Sequence, residues 1–356
     1  WIERARTEDQ SLLMKKDADV SEDVQCQSLS LRPQLETLIK RQKNLTLAIR
    51  EWNGDKIAVR DESLDLSAIT LYDPDTHWQH IKLLERKGQF ARALENCHLG
   101  LHAHSQEICG MELLGILCAF GEVHWARSAL SDLSASEFIS RLYGPILDQL
   151  ARGINIVRVP FCGEELSFRL TGENWELESV HLSGQLYEAI EVEHLVKLVP
   201  ANGAFLDVGA NIGNHSIAVA KLRPDVTVIP IEAEPRAVRI LEENIELNRV
   251  GNVDTSHLGK ALSAGNGETL LQWASSISST HVSPDQFGIR VPNLKLQDLV
   301  EDKMLVKLDI EGLESAILED SGEVLDLHAP LIMAEMLGES EHHMLCSLES
   351  LGYEIK

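Results

Sequence analysis

Apolar positions change their rhythm twice along this chain. Leu35, Leu38, Leu45, Ile49 and Trp52 fall near heptad spacing with Gln42 interrupting, a run too short for a coiled coil and suited to one amphipathic helix packed on its own chain. NGDK and YDPDT then punctuate loops. From His77 to Leu133 the pattern is helical and repeats itself. KGQFARALENCHLGL is echoed 33 residues later by FGEVHWARSAL, pairing Gly88 with Gly121 and Ala93 with Ala126. After Gly153 come two strand-like runs, INIVRVPF and EELSFRL, followed by the helical SGQLYEAIEVEHLVKLV. AFLDV, VTVIPIEA, MLVKLDI and PLIMAEM are near-continuous apolar runs, as parallel strands covered on both faces require. Between them HSIAVAKL, RAVRILEENIELN, LESAILED and EHHMLCSLESLG read as amphipathic helices. This alternation predicts an α/β fold with a doubly wound sheet over residues 151–356. A helical region over 76–150 and an extension over 1–75 precede it.

In the helical repeat, a small residue five positions after each turn glycine lets antiparallel helices approach closely, and a period of about 34 is the tetratricopeptide signature. The segment resembles that family over about two repeats, without most of its Trp and Tyr positions. So few repeats are marginal alone, so the resemblance implies a surface for a protein partner or for self-association. The chain begins with Trp and stops at LESLGYEIK where a further strand is expected, so both ends are expected to be cut.

Composition narrows the function. The chain has 356 residues, 44% hydrophobic and 25% charged, the balance of a folded globular protein. No run approaches the roughly 18–20 apolar residues of a membrane span, and WIERARTEDQ lacks a signal peptide's apolar core, so a cytoplasmic protein is expected. A formal charge of -24 opposes a phosphate backbone, so the expectation is no nucleic acid, although LIKRQKNLTLAIR is locally basic. Six scattered cysteines with no CxxC pair are expected to be reduced and structural, not a zinc site.

Phe205–Gly213 reads FLDVGANIG, a strand running into a glycine turn and a helix. Gly209 and Gly213 allow the backbone to turn tightly near a ligand, and the helix offers unsatisfied N–H groups. The spacing is GxxxG and not GxGxxG, which disfavours an NAD or FAD enzyme. Glu234 ends the next strand 21 residues beyond Gly213, where a carboxylate can accept both ribose hydroxyls. Glu232 is a neighbour on the same run, and Glu234 is favoured because it precedes Pro235, which opens a helix. KLDIEG then puts Asp309 and Glu311 at the carboxyl end of a buried strand, the edge where open α/β sheets bind ligands. Carboxylates there suit a cationic ligand group, and one could deprotonate an incoming hydroxyl.

YEAIEVE, FLDVGANIG, IEAEPRA, LEENIELN, KLDIEG and PLIMAE occur in the order and spacing of the FkbM family of S-adenosylmethionine-dependent methyltransferases, which residues 155–356 resemble. The resemblance implies S-adenosylmethionine as cofactor, a donor loop of Asp207, Gly209, Asn211 and Gly213, and Glu234 on the ribose. It also implies that Glu188, Asp309 and Glu311 close the pocket, and that Asn244 and Asn248 serve helix packing or capping. Without a [DN]PP[YFW] run the acceptor atom is expected to be oxygen, on a glycan or secondary metabolite. A hydroxyl needs a base or metal. Asp309, Glu311, Glu335 and His281, in the polar loop SSISSTHVSP, are the candidates for the base. His215 reads as a polar helix face first and a substrate contact second. Magnesium on Asp309, Glu311 and Glu335 would be chemically reasonable, but nothing demands it and no metal is expected. The competing reading is an interaction protein whose helical repeats do the work while the methyltransferase fold serves as scaffold.

Overall fold

A computed structural model describes residues 74–103, 106–132, 136–283, 286–310, 313–334, 345–346 and 348–354. The helix expected over 35–52, Glu311, Gly312 and Glu335 lie outside them. All the described residues fall in one compact unit, Ile69–Lys356.

Among the described residues five helices come first: α1 (Pro74–Arg86), α2 (Phe90–Ala103), α3 (Gln106–Ala119), α4 (Val123–Asp132) and α5 (Glu137–Ala151). The repeat seen in sequence is a repeat of turn geometry. Gly88 and Gly121, at φ 67° and 71°, each end a helix in the same way. Gly88 N–H bonds the Glu85 carbonyl and Gln89 N–H that of Leu84, while Gly121 and Glu122 do the same with Cys118 and Leu117. This doubly bonded cap needs a left-handed residue, which glycine adopts without a Cβ penalty. Ala93 and Ala126 are both fully buried where the following helix turns back. The buried thiols Cys97, Cys109 and Cys118 are free, and burial raises all three above the ordinary thiol range.

Strands β1 (Ile156–Phe161) and β2 (Glu164–Arg169) form an antiparallel hairpin. Its two-residue turn has positive φ at both Cys162 and Gly163, as a tight hairpin of natural twist requires. Helices α6 (Trp175–Leu182) and α7 (Ala189–Leu198) lead to β3 (Ala204–Val208), α8 (Asn214–Leu222), β4 (Thr227–Ile231) and α9 (Pro235–Asn248). Then follow β5 (Ala261–Leu262), β6 (Glu268–Leu271), β7 (Ile289–Leu294), β8 (Met304–Leu308), α10 (Glu314–Asp320), α11 (Gly322–His328) and β9 (Leu331–Ala334). The main sheet has the order β4-β3-β8-β9 and is parallel throughout.

Both faces of that sheet are covered, for a reason written in the alternation of each strand. Phe205, Val228 and Leu305 pack with Leu195 of α7 and Val219 of α8. Leu206, Val208, Val306 and Leu308 point the other way, toward Leu296, Ile317 and Leu325. Each such fully buried side chain contributes about 1.5–3 kcal/mol. Asn244 and Asn248 act as a substitute strand edge: Arg169 N–H and Ser167 N–H bond their side-chain oxygens, and Asn248 Nδ2 donates to the Ser167 carbonyl. The packing role expected of them is therefore a set of β2-to-α9 bonds.

A second sheet, β5-β7-β6, was not expected from the sequence. Its strands are short and weakly patterned, and non-local pairing holds them. The loop after β6 receives the helical layer. Gly115 of α3 lies so close that a Cβ would stand 2.8 Å from the Ser275 carbonyl oxygen, and Ser275 Oγ donates to Glu112. The Phe90 ring meets Trp273 edge-on at 4.6 Å. Among the described residues no helix is long and apolar enough to cross a membrane.

Candidate active site

A cavity of about 240 Å³ opens at the carboxyl ends of β3, β4 and β8, lined there by Gly209, Glu232 and Asp309. This is the edge where an open parallel sheet takes ligands, because the connections diverge there.

The floor is the loop after β3. Gly209 and Ala210 N–H both bond the Ile231 carbonyl at 3.0 Å, tying the loop to β4. At Gly209, φ is 79° and a Cβ would stand 1.9 Å from the Asp309 backbone oxygen. Only glycine fits where β3 and β8 converge. Gly213 also needs its glycine, at φ 89°, but a Cβ there would meet Leu241 and Ile217. Its tight fit serves helix packing, whereas the sequence suggested approach to a ligand. Asn211, left-handed at φ 52°, accepts a hydrogen bond from Asn174 Nδ2 at 2.8 Å and faces the cavity. Asp207 is fully buried below the loop, where Ser216 Oγ donates to it at 2.6 Å. It is not a lining residue, so it supports the loop from beneath.

The end of β4 presents two glutamates in different situations. Glu234 reaches the wall but has both oxygens engaged: Oε2 caps α9 at Ala237 N–H and Oε1 meets Arg236 Nε at 2.7 Å. The helix opening at Pro235, read in the sequence as a reason to favour Glu234, is what occupies it. Glu232 accepts backbone N–H groups from Asn211, Ala233 and Glu234 at 2.7–2.8 Å and lines the cavity. Burial pushes its carboxyl up to about 7 against the pull of those N–H groups. Both glutamates line the cavity, Glu232 accepting three bonds and Glu234 two; no spacing rule shows which of two carboxylates a helix start will engage.

On the β8 side, Asp309 lines the cavity and Oδ2 meets Lys307 Nζ at 2.7 Å. Lys307 is buried. Burial opposes its charge, but Asp207 and Asp309 outweigh that and raise its pKa. Lys307 opens the KLDIEG motif, but the sequence does not show that its side chain meets Asp309. Glu188, left-handed at φ 51° before α7, is also lining. Beside it Tyr187 is pushed up to about 12, by burial first and Glu188 next. His281 stands at the exposed rim. Its Nδ1 lies 3.0 Å from the Ser279 carbonyl, which can only accept, so Nδ1 donates there. The loop that carries His281 forms part of the wall through Ile277, Ser278, Thr280 and Val282.

The lining chemistry selects a ligand type. Glu176, Glu188, Glu232, Glu234 and Asp309 stand against Lys260, an acidic field that favours a cation and repels a pyrophosphate. Ile231, Ala261, Leu262, Leu271 and Ile277 add an apolar wall on which a flat base can lie. S-adenosylmethionine has the matching parts: an adenine, a ribose diol, a sulfonium and an ammonium.

Residues 176–262 match the family model of the TRM5/TYW2 methyltransferase domain. Among curated proteins none matches this chain. Solved structures overlap it partially. Precorrin-6y C5,15-methyltransferase from Geobacter metallireducens GS-15 is 15% identical with a TM-score of 0.30, over 47% of this chain and 72% of that one. M. jannaschii TYW2 in complex with AdoMet is 17% identical with a TM-score of 0.30, over 56% and 74%. The aTrm5 protein, solved in complex with tRNALeu, is 13% identical with a TM-score of 0.28, over 55% and 44%. The exclusion of nucleic acid drawn from net charge is therefore corrected. The matching domain model is named for TRM5, and a Trm5 protein is solved on tRNA; charge summed over a chain does not describe one face of it. With the family match spanning the glycine loop and Glu232, and with the parallel sheet beneath them, this chain is an S-adenosylmethionine-dependent methyltransferase.

Proposed function

We propose that the cavity binds S-adenosylmethionine with its ribose on Glu232, its adenine on the Ala261, Leu262 and Leu271 wall, and its charged end toward Asp309 and Glu188. The methyl group passes to a hydroxyl oxygen at the His281 rim. The observation that carries the reading is Glu232: a carboxylate fixed by three backbone N–H groups at the end of β4 and turned to the cavity. S-adenosylmethionine supplies an activated methyl group, and the chain's task is alignment and exclusion of water. Gly209 brings β3 against β8, Glu234 holds the start of α9, and Lys307 balances Asp309. Nε2 of His281 takes the hydroxyl proton.

The FkbM resemblance supports a hydroxyl of a saccharide or secondary metabolite as acceptor. The TRM5/TYW2 match supports a second reading, a tRNA acceptor. The division at residues 75 and 150, the tetratricopeptide-like character of α1–α4 as a partner surface, and a cytoplasmic location belong to the same proposal. Calorimetric titration with S-adenosylhomocysteine tests the pocket. Binding should weaken about tenfold or more in Glu232→Gln, the scale of a lost hydrogen bond to a charged group, and absence of heat with the unaltered protein overturns the reading. Labelled donor offered to glycan hydroxyls and to tRNA separates the acceptors. His281→Ala should lower turnover by about a hundredfold or more with donor affinity kept.

A further inference from the structure

Beside the donor cavity, three side chains converge from two helices. Glu188 precedes α7 and Glu191 lies one turn further, so both carboxylates project on one side. His215 is the second residue of α8, just past the glycine loop. Its Nε2 lies 3.3 Å from Glu188 Oε2 and 3.7 Å from Glu191 Oε1, and the three ligand atoms all lie within 4.8 Å of one another. His215 is only 6% exposed, and its Nε2 makes no hydrogen bond. A buried imidazole nitrogen that makes no hydrogen bond while lying 3.3 and 3.7 Å from two carboxylates is unusual, and the three atoms form a donor set that a cation would complete.

We propose that Glu188, Glu191 and His215 hold a divalent transition-metal ion. Around a tetrahedral ion with bonds of about 2.0–2.2 Å, ligand atoms stand roughly 3.3–3.6 Å apart, and the two histidine–glutamate separations here need little adjustment. Two carboxylates neutralise a dication and suit manganese, and the imidazole beside them suits zinc or iron better than calcium or magnesium. Lys307 and Asp309 are the neighbouring charges felt by Glu191, and they are paired with each other. Three protein ligands leave a position for an outside oxygen. Glu188 also lines the donor cavity, so the ion would adjoin it. If the methyltransferase reading above holds, the ion would bind the acceptor hydroxyl and lower its pKa before transfer. The site differs from the Asp309, Glu311 and Glu335 set considered from sequence.

The test is metal binding, read apart from activity. Chelator-treated full-length protein is titrated with zinc by calorimetry and with manganese by electron paramagnetic resonance, as the unaltered chain, Glu191→Gln and His215→Ala. One equivalent per chain is expected, with affinity reduced about tenfold or more in both variants. Glu191 is half-buried at a helix surface, so its substitution keeps the fold if His215→Ala does not. No stoichiometric binding by the unaltered chain, or equal affinity in Glu191→Gln, overturns the proposal. S-adenosylhomocysteine titrated into the same samples reads the donor pocket separately, so metal without donor binding would fault the methyltransferase reading alone.

Discussion

The helical layer and the sheet edge both bury clusters of charge, and they dispose of it in opposite ways. In the helical layer, Lys82 Nζ lies 3.1 Å from Glu85 and 2.7 Å from Glu112, and Ser275 closes the group. Burial works against Lys82, but Glu112 and Glu85 outweigh it and raise its pKa. Burial also pushes Glu112 upward, yet Lys82 brings it below its ordinary value. These charges face only protein, and their role is to lock α1 and α3 to the loop at Ser275. At the sheet edge, Glu232 is held as firmly, but by backbone N–H groups, and it lines the cavity, with one N–H on Oε2 and two on Oε1. Burial alone does not mark function; the direction of the unused hydrogen-bonding capacity does.

Four changes would break or sharpen that contrast. The largest stability effect should come from Glu112→Ala, which leaves buried Lys82 with Glu85 alone, strips Ser275 Oγ of its acceptor, and should cost about 3 kcal/mol. Thermal unfolding reads the loss, and a parallel fall in S-adenosylhomocysteine affinity would show that the two regions are not separate. Gly209→Ala should do the reverse. Its Cβ would collide with the Asp309 backbone oxygen, moving the floor by enough to weaken donor binding about a hundredfold, with a smaller stability loss of about 1–3 kcal/mol from the left-handed backbone. Calorimetry together with unfolding separates the two numbers.

The third effect is on pH. With the Glu232 carboxyl pushed up to about 7, the group is mostly neutral below that value, and a cationic donor prefers the carboxylate. S-adenosylmethionine affinity should therefore rise about tenfold between roughly pH 6 and pH 8 and level off above. A flat profile would mean that Glu232 does not face the donor. The smallest effect is expected from Glu234→Ala, which removes the α9 cap at a cost of about 1 kcal/mol and changes donor affinity by less than Glu232→Gln does. The opposite ranking would return the ribose to Glu234.

Much of the site was legible. The β3 run, the glycine turn and the strand ending at β4 announced a ligand edge, and Gly209, Asn211, Glu188, Asp309 and His281 all reach the cavity wall. Asp207 and Gly213 were placed in the right loop, but they support it from behind. Lys307 and Glu191 lie inside the KLDIEG and YEAIEVE motifs, but their contacts, like the Asn174–Asn211 pair, were not legible because each depends on residues that are neighbours only after folding. The net charge misled on nucleic acid for a related reason: it sums over a surface whose local composition the chain does not reveal.

From sequence alone came the apolar runs that must lie within a parallel sheet, the turns that only glycine can make, and the acidic residues at strand ends, because each follows from backbone sterics or short-range periodicity. Which of Glu232 and Glu234 stays available, which histidine meets a carboxylate, and where the helical layer seats against Ser275 were decided by packing. Those outcomes turn on ångström-scale distances between segments far apart in the chain, and no local pattern encodes them.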